Sequence, residues 1–402
     1  MGSCIVTIAL FPISSCFAQA GCTDPEASNY NSSAKTNDGS CTYAVTQKNV
    51  TKKGDFSSAI PESSGLVFTN GKLWTHNDSG NPASIFNVDT ATGATLQTVF
   101  IDNYPNVDWE DISTDQDYIY ISDCGNNNGT RKDLKILKIK KADIGTDTVA
   151  HVNAEAIALS YKDQTSFAAS STNNFDCESL IAIDTALYLF SKDRGDLSTR
   201  VYKLSKNPGT YIVSPYTSFN TNGLVTGADY DPIKKEVVLI GYMKSHLNSF
   251  LWILNDFKAD SFFSGNKRRI EIGPGTEWQT EGVCYDRSGR LFISCESAGS
   301  YNAGLFVLDE NWKPSSSSVS LSMKPSFCYM FPNPAHETVN IESSEAITHI
   351  VLENMMGQTL YSREASGTHV VIPLEQFSPS KGYYLVKIYG ISGITVEKLI
   401  LN

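Results

Sequence analysis

Positive charge is scarce. The 402-residue chain carries 32 Lys and Arg against 43 Asp and Glu, a net charge of −11. Nucleic-acid binders need a basic footprint over the phosphates, so that class is excluded as a general role. The six histidines are scattered and no CxxC pair occurs, so spacing suggests neither a zinc cluster nor a histidine-based triad. Phosphate-binding loops and dinucleotide fingerprints are missing too. Past the first twenty residues, no run is apolar over the about 18 residues that a membrane-crossing helix needs. Charged residues make up 19% and hydrophobic ones 41%, unlike a disordered, collagenous or coiled-coil chain.

What is present begins with an export signal. Ile5 to Phe11 form a short apolar core, and Ala18-Gln19-Ala20 supplies a small-x-small cleavage pattern. The pattern predicts a signal peptide over residues 1–20 and a mature chain starting at Gly21. No Lys or Arg flanks Met1, and Ile13-Ser14-Ser15-Cys16 is loosely lipobox-like, which makes a lipid anchor on Cys16 the alternative. An exported compartment permits disulfides. Of nine cysteines, Cys4 and Cys16 leave with the signal. Cys22 and Cys41 bracket a small polar segment and are the best pair. Cys284 and Cys295 fall on neighbouring predicted strands and are a candidate bridge, while Cys124, Cys177 and Cys328 stay unassigned.

Residues 21–44 hold too little apolar surface for a core, so a disulfide or a metal must fix them. Asp24, Asn29, Asn31 and Asp38 are oxygen donors of the kind calcium takes, and also residues that favour turns. The run Gly21-Cys22-Thr23-Asp24-Pro25, Asn29-Tyr30-Asn31 and Asp38-Gly39-Ser40-Cys41 resembles a short Cys-bounded repeat of exported Bacteroidetes proteins.

Residues 45–313 alternate short apolar strands with Gly, Asn, Asp and Pro, without a helical period. One outline recurs, beginning at Glu62-Ser63-Ser64-Gly65-Leu66, Asp108-Trp109-Glu110-Asp111-Ile112, Asp176-Cys177-Glu178-Ser179-Leu180, Val225-Thr226-Gly227-Ala228-Asp229 and Gln279-Thr280-Glu281-Gly282-Val283. Each is followed by an apolar strand with a polar end. Repeats of about 40–60 residues are blade-sized. The expected fold is all-β: a five-bladed β-propeller, or a six-bladed one if the long second repeat hides a blade. Lys48–Phe56 is expected to supply the strand that closes the last blade.

First strands line a propeller channel. That places Glu62, Glu110, Glu178 and Glu281 inside, with Thr226 at the fourth equivalent position. Packed carboxylates cannot all ionise without a cation, and hard oxygens suit calcium, so these five are the predicted metal ligands. The competing reading has them accept backbone N–H bonds from adjacent blades. Second-strand ends would rim the mouth, making His76, Asp78, Asp123, Lys192, Arg194, Tyr242, Lys244 and Glu296 the predicted ligand-binding residues. The quoted motifs are similar to first strands of calcium-containing propellers of the calcium-activated apyrase, esterase-like phytase and SdiA-regulated families. That resemblance implies the fold and the metal rather than a reaction.

Residues 314–323 read as a serine-rich linker. The alternating strands of 324–402 predict a small C-terminal β-sandwich. Phe331-Pro332-Asn333-Pro334, Asn354-Met355-Met356-Gly357-Gln358, Gly382-Tyr383-Tyr384-Leu385-Val386-Lys387 and Lys398-Leu399-Ile400 resemble the C-terminal sorting domain of type IX secretion in Bacteroidetes. The resemblance implies recognition by the outer-membrane translocon and its sorting protease, and a secreted or cell-surface protein. Two roles follow: a calcium-bound binding propeller, or a calcium-dependent phosphoester or ester hydrolase at the channel mouth.

Overall fold

The computed structural model describes residues 19–243, 248–273, 278–286, 288–299, 301–308, 328–343, 346–354, 358–376, 380–390 and 393–401. The predicted signal peptide before residue 19, the predicted linker and Lys244 lie outside them. Two compact units divide the chain, Met1–Pro314 and Ser315–Asn402. Helix is confined to 3-10 turns at Lys141–Asp143 and Leu374–Gln376 among the described residues.

Beside a two-stranded parallel pair, Ala20–Gly21 with Thr36–Asn37, the first unit contains five sheets that are antiparallel through their first four strands, here blades I to V. Their first strands are Ser63–Thr69, Asp111–Thr114, Cys177–Ile183, Leu224–Asp231 and Thr280–Tyr285. The ring follows from two-faced strands. In blade IV, Val237 and Leu239 pack toward blade III while Val238 and Ile240 pack toward blade V. Side chains alternate along a strand, so a run that is apolar at every position buries both faces. Each adjacent pair of blades shares such a core: I–II around Trp109, II–III around Tyr202, III–IV around Phe190, IV–V around Trp278 and V–I around Phe292. A fully buried large apolar side chain is worth about 1.5–3 kcal/mol, so the five interfaces carry the fold.

Blade V takes its outer strand from the other end of the unit. Thr51–Asp55 pairs antiparallel with Gly304–Leu308. Blades I, II and IV gain a fifth, parallel strand: Val149–Val152, Gly209–Val213 and Thr46–Lys48. These segments cover edges that would otherwise present unpaired backbone. They also account for the long second repeat, since residues 111–176 build blade II and lend Val149–Val152 to blade I.

Cys22 and Cys41 form a disulfide. Cys284 and Cys295 do not, which corrects the second expected bridge. Cys284 stands opposite Phe292 and Cys295 opposite Thr280 on the ladder. They also pack into different cores, Cys284 toward blade I and Cys295 toward blade IV. The Cys-bounded segment docks on blade IV. Asn37 Nδ2 donates to Asp256 and Asn266 at 2.7 and 2.8 Å, and Arg268 pairs with Glu26 at 2.7 Å. Its four candidate oxygen donors stay local: Asp24 accepts from Tyr43, Asn29 from the Thr42 N–H, Asn31 from Ser33 and Asp38 from Ser40.

The second unit is a two-sheet sandwich. Cys328–Phe331, Thr338–Ser343 and His369–Pro373 form one sheet, and Thr359–Glu364, Ile347–Asn354, Gly382–Gly390 and Gly393–Leu401 the other. Its core is aliphatic, centred on Ile341, Ile350, Leu352, Ile372, Val386 and Leu399.

Candidate cation site at the channel mouth

Four first strands begin with a β-bulge, between Ser63 and Leu66, Cys177 and Ser179, Val225 and Gly227, and Thr280 and Val283. A bulge inserts one residue and re-aims its side chain. The bulges align Ser64, Glu178, Thr226 and Glu281, and the pairing of Asp111 with Ser122 puts Glu110 in the same place. Glu62 therefore stands two residues before this ring, level with Asp108, Asp176 and Gln279. A separation of two keeps both positions on one side of a strand, and Glu62 and Gln279 of the outer tier face the same space as the ring.

That space is a cavity of about 250 Å³, lined among others by Glu62, Asp78, Glu110, Glu178, Glu281 and Glu296. Lys192, Arg194, Tyr242, Ser64, Asn127 and Gln279 complete its wall. Of the predicted metal ligands, the four glutamates meet here. Thr226 does not: its hydroxyl donates to the Thr280 carbonyl of blade V at 2.8 Å, as Ser64 donates to the Glu110 carbonyl of blade II at 2.7 Å. In these two blades the ring position joins neighbouring strands.

Of the predicted rim, Asp78, Lys192, Arg194, Tyr242 and Glu296 line the cavity, while His76 and Asp123 do not. His76 is fully buried against the edge of Trp109, and burial lowers its pKa to about 4. Asp123 is buried and held by Arg131 at 2.9 Å and Lys135 at 3.0 Å. Asp123 ends its strand, one step short of the mouth, and His76 lies one residue deeper in its own.

The acids divide into two groups. Three carboxylates from blades I and II, Asp78, Asp108 and Glu110, bring oxygens within 4.8 Å of one another. Glu110, Asp176 and Glu178 do the same toward blade III. The second group carries its own counter-ions. Arg194 holds Asp176 at 2.9 Å and Glu178 at 3.4 Å, and Lys192 pairs with Glu178. Burial opposes charge on Lys192, yet adjacent Glu178 prevails and raises its pKa. No ion pair or hydrogen bond reaches the carboxylate of Glu110 among the described residues, although that residue is only 4% exposed. Burial, then Glu178 and Asp78, push its pKa well above the usual carboxylate range. Burial likewise raises Glu281, takes Glu296 to about 7, and takes Asp108 to about 6 with help from Asp78. Gly125 leaves room for this group. A Cβ there would stand 2.1 Å from Glu110 Oε1 and 2.5 Å from Asp108 Cγ.

Sequence reasoning missed Asp176, Ser64 and Gln279. The signal was visible in Asp-Trp-Glu and Asp-Cys-Glu, where an acid precedes the ring glutamate by two.

Below the mouth the channel is closed. Asp111 is buried and its Oδ2 accepts from the N–H groups of Leu180 and Ala228 at 2.8 and 3.2 Å, tying blades II, III and IV together. Gly65, Gly227 and Gly282 let strands touch, since a Cβ at Gly227 would lie 2.3 Å from the Glu281 carbonyl oxygen. The channel is two separate mouths rather than a pore.

The second unit is recognisable by family. Residues 329–402 are a secretion system C-terminal sorting domain. The sorting domain marks the chain for type IX export, and proteins that bear it are secreted or attached at the cell surface. No helix among the described residues is long and apolar enough to cross a membrane. No curated protein matches the sequence. Among solved structures, PorZ, a surface component of the type-IX secretion system of Porphyromonas gingivalis, is 13% identical with a TM-score of 0.30. That match covers 85% of this chain, which spans 45% of PorZ. The PQQ-bound aldose sugar dehydrogenase of Streptomyces coelicolor is 11% identical at TM-score 0.39, covering 66% of this chain and 99% of that one. An exo-beta-1,3-galactanase from Phanerochaete chrysosporium is 12% identical at 0.42, covering 88% and 93%. Likeness at this level assigns no activity, and the propeller fold rests on the sheets and shared cores described above.

Proposed function

We propose that the exported propeller is a calcium-binding module, with the ion on Asp78, Asp108 and Glu110 at the channel mouth, and that it serves as a binding rather than a catalytic protein. The buried, unpartnered carboxylate of Glu110 carries this reading. The donor set fits: carboxylates, amides and a hydroxyl are hard oxygens, and a divalent ion would let neighbouring acids stay charged. On the other side of the cavity, Lys192 and Arg194 neutralise Glu178 and Asp176, so the ion sits off the axis. The same pairs weigh against a phosphoester hydrolase, which needs cations able to take phosphoryl oxygens.

The test is calcium binding by isothermal calorimetry with melting in calcium and in EDTA. The intact chain should bind one ion. It should gain about 2.7 kcal/mol when free calcium is about 100 times Kd. Glu110→Gln should lose both. An unchanged melting midpoint in EDTA with no binding heat defeats the calcium reading. Turnover of nucleotides, phytate or p-nitrophenyl esters that EDTA abolishes would replace the binding role with the hydrolytic one.

A further inference from the structure

At the far end of the channel, beyond the Asp111 closure, lies a second cavity of about 870 Å³. All five blades contribute: Phe68 from I, Thr114 from II, Ile183 from III, Asp229 and Tyr230 from IV and Tyr285 from V. Its wall also carries carboxylates, but it is far more apolar than the first mouth. Val67, Phe68, Ala182, Ile183, Tyr230 and Tyr285 give it apolar walls. Ile233, 86% exposed, stands on the turn beside it.

The charges in the wall are unevenly matched. Asp115 pairs with Lys206 at 3.0 Å, Asp286 with Arg290 at 2.7 Å and Asp231 with Lys234 at 3.7 Å. Asp229 and Asp184 have no ion pair among the described residues. Lys235 is on the exposed rim, at the turn that carries Ile233. Asp229 sits deeper, on the blade IV first strand, where its Oδ2 accepts the Tyr285 N–H at 2.8 Å. Burial raises its pKa to about 7, so a cation beside it would gain by fixing the charged form.

We propose that this second mouth is a ligand site for a hydrophobic amine, an aromatic or aliphatic body carrying a protonated nitrogen. The body fills the apolar wall and the ammonium meets Asp229, with Asp184 at the entrance. Sites of this kind are concave, mostly apolar and oriented by few polar groups. An ammonium–carboxylate hydrogen bond in a desolvated wall discriminates strongly against an anion on the same body.

The test uses the full-length chain in saturating calcium, which occupies the acidic mouth. Phenethylamine and phenylacetate, nearly the same body with opposite charge, are titrated by ligand-observed NMR. Phenethylamine should bind in the millimolar range expected of so small a ligand. Phenylacetate should bind at least about tenfold more weakly. Asp229→Asn, which keeps an oxygen for Tyr285, should weaken the amine by about tenfold, and the exposed Asp184→Asn by less. Equal binding of the two probes, binding indifferent to Asp229→Asn, or no binding at 10 mM (about the useful limit for a fragment) overturns the proposal. Amine binding that appears in EDTA, is displaced by calcium and survives Asp229→Asn would place the amine at the calcium mouth and overturn the proposal.

Discussion

The acidic mouth makes a joint prediction about pH and calcium. Glu296 is pushed from 4.5 to about 7 and Asp108 from 3.8 to about 6. Each pKa unit corresponds to about 1.4 kcal/mol, hence on the order of 3 kcal/mol per group. Both are partly solvated, so on the order of 2 kcal/mol each is the figure to use. The folded pKa values are raised, so the stability these groups supply is complete below about pH 4, their unfolded range. It is lost as pH climbs through about 6 for Asp108 and about 7 for Glu296. Glu110 and Glu281 act in the same direction. Acids with lowered values, such as Asp115, lose stability only as pH falls below the ordinary carboxylate range. Buried His76, lowered to about 4, opposes the trend between about pH 6.5 and pH 5, while Asp229 and Asp193, each raised to about 7, reinforce it. Calcium-free protein should therefore melt higher at pH 5 than at pH 8. Between pH 5 and pH 8 about one pH unit of the Asp108 contribution and about two of the Glu296 contribution are lost, on the order of 3 kcal/mol together after the same discount. At about 2–4 °C per kcal/mol for a body of this size, the two acids account for on the order of 5–10 °C. Calcium favours the charged carboxylates, so it should raise the pH 8 midpoint far more than the pH 5 midpoint and flatten the profile. Calorimetry at the two pH values, in calcium and in EDTA, measures all four points. A flat or rising midpoint from pH 5 to pH 8 in EDTA refutes the reasoning, as does a calcium shift equal at both.

Gly125→Ala should weaken calcium binding at least about tenfold while the blades stay folded, because the added methyl enters the space of Glu110 and Asp108; calorimetric titration reads it. Cys22→Ser with Cys41→Ser should free residues 21–44 from blade IV, with about 3 kcal/mol lost locally and faster proteolytic clipping ahead of residue 45. Deleting residues 324–402 should leave the chain in the periplasm, and normal appearance of the truncated chain outside the cell would contradict the role of the sorting domain.

The blades were legible because their physics is local. A strand apolar at every position, such as Val237–Ile240, can only be buried on both faces, and five recurrences of one outline imply a ring. The glutamate at the start of each repeat was legible for the same reason in blades II, III and V. Blade I was misaligned by two because Glu62 imitates the ring residue, and only the bulge shows that Ser64 occupies the place. The two-group division of the acids was beyond sequence reading. It depends on Arg194 reaching Asp176 and Glu178 across a turn, a matter of side-chain direction rather than spacing. His76 and Asp123 fall short for a related reason: the mouth lies just past the paired strand ends, at the level of Asp78 and Lys192, one residue beyond Asp123 and two beyond His76.

The closing strand has a bearing on the order of events in the cell. Gly304–Leu308 are among the last blade residues to be synthesised, and Thr51–Asp55 are among the first. Ring closure must wait until the whole propeller has been translated, with loop-closure entropy met late. Until then Thr51–Asp55 lacks a partner and the Phe292 core lacks half its cover. A ribosome-bound or prematurely terminated chain would expose an adhesive sheet edge. Nonsense mutations in blade V should therefore yield aggregates rather than shortened proteins.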